Sequence, residues 1–126
     1  MNTDYNKIVK QHFLNPKNFG VIKNPDSIGE VKNPVCNDIM KVYLKIKDNK
    51  IKDIKFQTMG CGAAIASSDI ACTLVKGKTL QQAMKIDKKK ILQKLKGLPR
   101  IKEHCSLLGE KAIKSAISNY LDKNKL

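Results

Sequence analysis

The sequence predicts an α+β fold: a small antiparallel β-sheet of about three strands, helices packed on one face, and a long C-terminal helix. Three observations predict it. Met40, Val42, Leu44 and Ile46 alternate with Lys41, Tyr43, Lys45 and Lys47, the period-two pattern of a half-buried strand. Helical patterns occupy the chain from Ala63 onward, and strands followed by helices segregate into separate layers. The length of 126 residues is that of one domain, spanning 1–126, able to bury roughly two-thirds of its unfolded surface.

The elements follow in order. Thr3 or Asn2 is positioned to cap a first helix that runs to about Leu14. Tyr5, Ile8, Val9, His12 and Phe13 recur on it at helical spacing, which makes His12 a core histidine rather than a ligand. Asn15-Pro16 stops this helix. Residues 15–34 read as loop, with Pro16, Gly20, Pro25, Gly29 and Pro34, and a short strand at Ser27 to Val31. The strand from Met40 ends at Asp48-Asn49, a tight turn. Ile51, Ile54 and Phe56 then mark a second, partly irregular strand that closes a hairpin. Gly60-Cys61-Gly62 breaks it. Ala63 to Val75 is small and apolar all round, as in a buried helix, and Lys76-Gly77 ends it. Thr79 with Gln82 forms a capping box for the next helix. Asp87 caps another, running to Lys96 before Gly97. A final helix runs from about His104 to Tyr120, with Asp122 to Leu126 fraying.

Composition excludes several classes. No apolar run approaches the ~20 residues of a membrane span. Met-Asn-Thr-Asp-Tyr enters an amphipathic segment directly, without the apolar core of a secretory signal. A cytoplasmic location is expected, or a mitochondrial or related organelle if the source is eukaryotic. The net charge is +14, from 25 basic and 11 acidic residues. Twenty-four of the basic residues are lysine and there is no tryptophan. Nucleic-acid binders use arginine forks and aromatic platforms, so nucleic acid is not expected as the primary partner. The densest basic cluster, Lys85, Lys88, Lys89, Lys90, Lys94 and Lys96, reads as solvated surface. An acidic protein partner is the better use of such a field.

The chemistry lies with cysteine. With no secretory leader expected, four cysteines imply reduced thiols, a metal site or catalysis rather than a disulfide framework. Cys36 sits in Asn-Pro-Val-Cys-Asn-Asp. Asn37 tolerates left-handed geometry and so bends Asp38 back beside Cys36. Cys61 lies between two glycines, where the missing β-carbons let backbone approach a bulky ligand. It also precedes a helix, whose N-terminal partial charge favours thiolate. Cys105 opens the last helix with the same benefit. His104 adds a nitrogen donor and Lys102 a cation. Cys72 differs, lying among alanines as core. Three thiols with Asp38 or His104 suit a four-coordinate metal. No Cys-x-x-Cys is present, so a zinc ribbon and a ferredoxin run are both excluded. The competing reading is a thiol enzyme using Cys105. Adjacent helical residues point about 100° apart, which makes His104–Cys105 a poor nucleophile–base pair.

Four segments resemble a known family. Asn-Pro-Val-Cys-Asn-Asp-Ile-Met, Phe-Gln-Thr-Met-Gly-Cys-Gly-Ala-Ala-Ile-Ala-Ser-Ser, Val-Lys-Gly-Lys-Thr-Leu and Leu-Pro-Arg-Ile-Lys-Glu-His-Cys-Ser-Leu-Leu are similar to the IscU/NifU-type iron–sulfur cluster assembly scaffolds. The likeness runs from about Tyr5 to Tyr120. It implies a non-enzymatic scaffold that builds a transient [2Fe–2S] cluster from iron and sulfur and hands it to recipient apo-proteins. Cys36, Cys61 and Cys105 would be the cysteine ligands, with Asp38 beside them and His104 as auxiliary or alternative ligand. Lys102 matches the family's lysine two residues before the histidine. A cysteine desulfurase would supply persulfide sulfur, with Cys105 the matching acceptor. The alternative is a zinc-binding regulatory or structural partner of a desulfurase, since zinc would fit the same ligands. A homo-oligomer is compatible with either. Two departures stand out. Asn37 replaces the usual glycine. Arg100, in Leu98-Pro99-Arg100-Ile101-Lys102, replaces a proline in the family's docking segment for a dedicated Hsp70-type chaperone, which weakens the case for Hsp70 and J-type chaperones as partners.

Overall fold

A computed structural model describes residues 6–34, 37–98 and 105–123. The order is α1 (Lys7–Leu14), β1 (Ser27–Lys32), β2 (Ile39–Lys47), β3 (Lys50–Met59), α2 (Gly62–Val75), α3 (Leu80–Ala83), α4 (Lys88–Leu95) and α5 (Cys105–Lys123). The strands form an antiparallel meander, β1-β2-β3. The predicted α+β class, three-stranded sheet and long last helix are all present.

The hairpin follows from local chemistry. Asp48 and Asn49 both take positive φ, 54° and 63°, the mirror-image turn whose twist matches the two strands. The pairing Lys45↔Asp53 is followed by Ile46↔Ile51, so Lys52 is an extra residue on β3. This bulge is the irregularity legible in the β3 sequence. Across the sheet Val42 faces Phe56, Leu44 faces Ile54 and Met40 faces Thr58. All six are buried. Alternation places them on the face that α2 and α5 cover. On the other face Tyr43 is also buried; its hydroxyl donates to Gln57 Oε1 at 2.7 Å.

Small residues set the helix layer close. A β-carbon on Gly109 would lie 2.8 Å from Ala71 Cβ, where α5 crosses α2. Ser27 Oγ donates to the Ala116 carbonyl and Asn119 Nδ2 to the Ile28 carbonyl at 2.9 Å, stitching α5 to β1. The capping box at Thr79 and Gln82 is present, although α3 has only four residues. Asp87 caps α4 through the Lys90 N–H. That helix ends at Leu95, one residue before the predicted limit, because Lys96 takes the left-handed conformation, φ 62°. The last helix continues to Lys123, past the predicted Tyr120.

Two readings need correction. The first helix is capped by Asn6, whose side chain accepts from the Val9 N–H at 2.9 Å; Asn2 and Thr3 lie outside the described residues. And α2 is buried but not apolar all round, since Ser67, Ser68 and Asp69 are 0% exposed. Asp69 accepts from the Asn18 N–H at 2.9 Å and the Asn18 amide at 3.0 Å, and it pairs with His12 Nδ1. It thereby fastens α1 and the following segment to α2. Asn18 and Gly20 then bond the Phe56 backbone, at 2.9 Å and 2.8 Å, closing the β3 edge. His12 is satisfied by Asp69, but it is half-buried rather than the core histidine its stripe predicted.

Cys72 is fully buried. Burial, reinforced by the Asp69 carboxylate, pushes its thiol well above the ordinary range. An acid whose folded pKa is raised holds its proton more tightly when folded. Stability is therefore intact below the unfolded thiol value of about 8.5 and declines above it. Urea midpoints of the wild type and Cys72→Ala across that range should show a steeper alkaline decline for the wild type. Parallel declines would contradict this assignment. No helix among the described residues is long and apolar enough to cross a membrane.

Candidate metal centre

The centre is assembled from a turn and two helix starts. Asn37 takes φ 57°, the left-handed geometry its side chain tolerates in place of glycine. Its N–H bonds the Asn33 carbonyl at 2.8 Å, and the Asn33 N–H bonds the Asp38 carbonyl at 2.7 Å. This closed turn aims Asp38 inward immediately before β2. The Ile39↔Met59 pairing then sets Asp38 against Gly60. A β-carbon on Gly60 would stand 2.5 Å from Asp38 Oδ1. Gly60 is thus the space the carboxylate occupies.

Cys61 is the N-cap residue of α2, with φ −79° and ψ 174°. Its carbonyl accepts from the Ile65 N–H at 3.1 Å, but its thiol makes no capping bond. Cys105 is the first residue of α5. The packing of α5 against α2 brings the two helix starts together. Cys61 Sγ lies 3.8 Å from Cys105 Sγ, and Cys105 Sγ lies 3.8 Å from Asp38 Oδ2. The ligand atoms of Asp38, Cys61 and Cys105 all fall within 4.8 Å of one another. Asp38 and Cys105 are buried and Cys61 is half-buried.

These spacings suit one metal ion. Two sulfurs on a tetrahedral ion at about 2.3 Å stand about 3.8 Å apart, and a sulfur and a carboxylate oxygen about 3.6 Å. Both thiols sit where helix N-terminal charge favours thiolate. Of the other candidates, Cys36 lies outside the described residues, two positions before Asp38. Lys102, His104 and the Arg100 segment also lie outside them. Cys72 belongs to the core and takes no part.

Phe13 is a neighbour that periodicity assigned to an ordinary apolar stripe. Its ring packs on Gly62, where a β-carbon would lie 3.2 Å from the ring. The two glycines flanking Cys61 therefore admit protein groups, a carboxylate on one side and an aromatic ring on the other. Gly60→Ala should displace the Asp38 carboxylate and leave the two described thiols in place. Zinc titration monitored against a chromophoric chelator should show about 10–100-fold weaker binding, the usual cost of disturbing a ligand's positioning. Unchanged affinity would mean that Asp38 does not ligate.

The family described as NifU-like N terminal domain matches residues 4–126. The chain belongs to that family. Among its relatives is the iron-sulfur cluster assembly scaffold protein IscU 1 of Archaeoglobus fulgidus, 50% identical over 120 residues, covering 95% of this chain and 78% of the relative. The iron sulfur cluster assembly protein 1 of Encephalitozoon cuniculi is 49% identical over 125 residues, covering 96% of this chain and 89% of the relative. A similar solved structure is a putative iron-sulfur cluster assembly scaffold protein for the SUF system from Fervidobacterium islandicum. It has a TM-score of 0.76 and 26% identity, covering 90% of this chain and 96% of the other. This NifU-like domain thus shares both sequence and three-dimensional form with proteins named as scaffolds.

Proposed function

We propose that this chain is a scaffold on which an iron–sulfur cluster is built and from which it is handed to recipient proteins. The observation that carries the reading is the convergence of Asp38, Cys61 and Cys105, from three separate segments, to within 4.8 Å. The names of the relatives support it and do not favour a purely regulatory zinc protein. The cluster is cargo, of the [2Fe–2S] type, held by Cys61 and Cys105 together with Cys36. Sulfur comes from a cysteine desulfurase, with Cys105 as the persulfide acceptor. Cys105 is only 1% exposed, so sulfur uptake there requires its cover to open. The chain does no turnover chemistry of its own.

The ligand set explains why cargo can leave. Thiolates bind iron firmly and oxygen donors suit harder ions. A carboxylate among the thiolates completes the site and loosens it. The same donors take zinc tetrahedrally, so zinc in an aerobically isolated sample is compatible with this role. Iron and acid-labile sulfide measured anaerobically, with and without a cysteine desulfurase, test the proposal. Desulfurase-dependent, matched iron and sulfide are expected; zinc alone under both conditions would refute it. Asp38→Ala should give a cluster that transfers to an apo-ferredoxin about tenfold or more slowly. Unchanged transfer kinetics would remove the carboxylate from the release step.

A further inference from the structure

Lys85, Lys90, Lys94 and Lys96 of the solvated lysine cluster, together with Lys78, rim an apolar floor. A cleft of about 350 Å³ opens between the end of α2, α3 and α4, lined by Leu74, Val75, Lys78, Gln82, Lys85, Ile86 and Lys90. It adjoins a second, of about 620 Å³, that shares Leu74 and Lys90 and adds Gln93, Lys94 and Lys96. Val75 and Ile86 are buried and Leu74 is half-buried. Five lysines thus surround one apolar strip, and no carboxylate lines either cleft among the described residues. Lys90 Nζ is held by the Lys85 carbonyl at 3.2 Å, fixing one ammonium at the rim. Nearby carboxylates line neither cleft and have partners of their own. Asp87 caps α4, Glu110 accepts from the Lys88 N–H and pairs with Lys114, and Asp53 pairs with Lys76.

We propose that this paired cleft is a docking site for an acidic protein segment carrying an apolar anchor residue. Charge complementarity selects the partner: five cations without a competing anion attract carboxylates and raise the encounter rate. The Leu74–Val75–Ile86 floor distinguishes a peptide from a polyanion, because phosphate backbones offer it no apolar side chain. No aromatic ring lines the clefts to stack a base, and no arginine forks a phosphate. Cys61 caps one end of α2 and Val75 closes the other, so the cleft lies roughly 20 Å along the helix from the metal centre. A partner seated here leaves the thiols open. The inference does not depend on what the metal centre holds.

The test is a titration of isotope-labelled protein with a synthetic glutamate-rich peptide interrupted by leucines, followed by amide shifts. Shifts should concentrate on Leu74, Lys78, Gln82, Ile86 and Lys90, and not on Gly62 or Cys61. Lys85→Glu combined with Lys90→Glu should weaken binding at least about tenfold. Replacing the peptide leucines by alanine, or Leu74 by serine, should also weaken it. Reversing two charges elsewhere, Lys41→Glu with Lys47→Glu, serves as the control. If that control weakened binding equally, net charge and not the cleft would be responsible, and the proposal would fall. It would equally fall if a single-stranded oligonucleotide or anionic vesicles displaced the peptide from these amides at lower concentration.

Discussion

Cys61→Ser and Cys105→Ser should each abolish the visible charge-transfer spectrum that anaerobic reconstitution with iron, sulfide and a desulfurase gives the wild type. Serine keeps the shape of cysteine but does not ionise near neutral pH, so the soft anionic donor is lost. The pair of sulfurs 3.8 Å apart becomes a single sulfur beside a neutral hydroxyl. Iron retention should fall well beyond the ~100-fold that a disturbed positioning contact costs. Cys36→Ser should behave alike if that residue completes the set. Far-ultraviolet circular dichroism separates loss of ligand from loss of fold, because a thiol-to-hydroxyl change at a helix start leaves backbone pairing intact. Cys72→Ser is the internal control: it lies in the core and should retain the spectrum. Wild-type spectra from all three ligand variants would end the scaffold reading. An unaltered zinc affinity in Cys61→Ser and Cys105→Ser would separately exclude these thiols as metal ligands.

What the residues disclosed, and what they concealed, divides along physical lines. Strict alternation in β2 fixed the dry face, because a one-residue slip would expose every core side chain. Turn and cap chemistry is local, so Asp48-Asn49, Thr79 with Gln82 and Asp87 were legible without knowledge of the rest. The boundary cysteines stood out because glycine, turn residues and helix starts surrounded them. Long-range complementarity was not legible. Gly60 looked like room for a ligand, yet it makes room for Asp38; Phe13 looked like core, yet it lies on Gly62. Asp69 is inconspicuous inside an apolar helix, since its partners, Asn18 and His12, lie 51 and 57 residues away. The lysines around α4 are solvated, as their sequence implies, but the apolar floor beside them comes partly from Leu74 and Val75 of α2, on which the local sequence of α4 is silent.

Gly29→Ala carries the largest structural penalty, and it follows from this kind of long-range contact. Gly29 lies within β1, where the sequence places a short strand, opposite Val42; what the sequence does not show is the helix packed on it. An added β-carbon would stand 2.5 Å from both the Ala112 carbonyl oxygen and the Ala116 nitrogen, and 2.9 Å from Ala116 Cα. These are backbone atoms of α5, so no rotamer change relieves the clash. Either α5 lifts off the sheet or β1 withdraws from it. Both movements strain the Ser27 and Asn119 bonds that join the two elements. Overpacking costs about 1–3 kcal/mol when side chains can shift; with backbone on both sides the upper end or more is expected. Total stability of a domain is about 5–15 kcal/mol, so a large fraction would be lost. Urea unfolding should show a lower midpoint with little change in slope. The same shift carries to function, because α5 begins at Cys105: lifting the helix moves that sulfur relative to Cys61, and metal affinity should fall together with stability. A variant with wild-type midpoint and wild-type zinc affinity would show that α5 does not rest on β1 through this glycine.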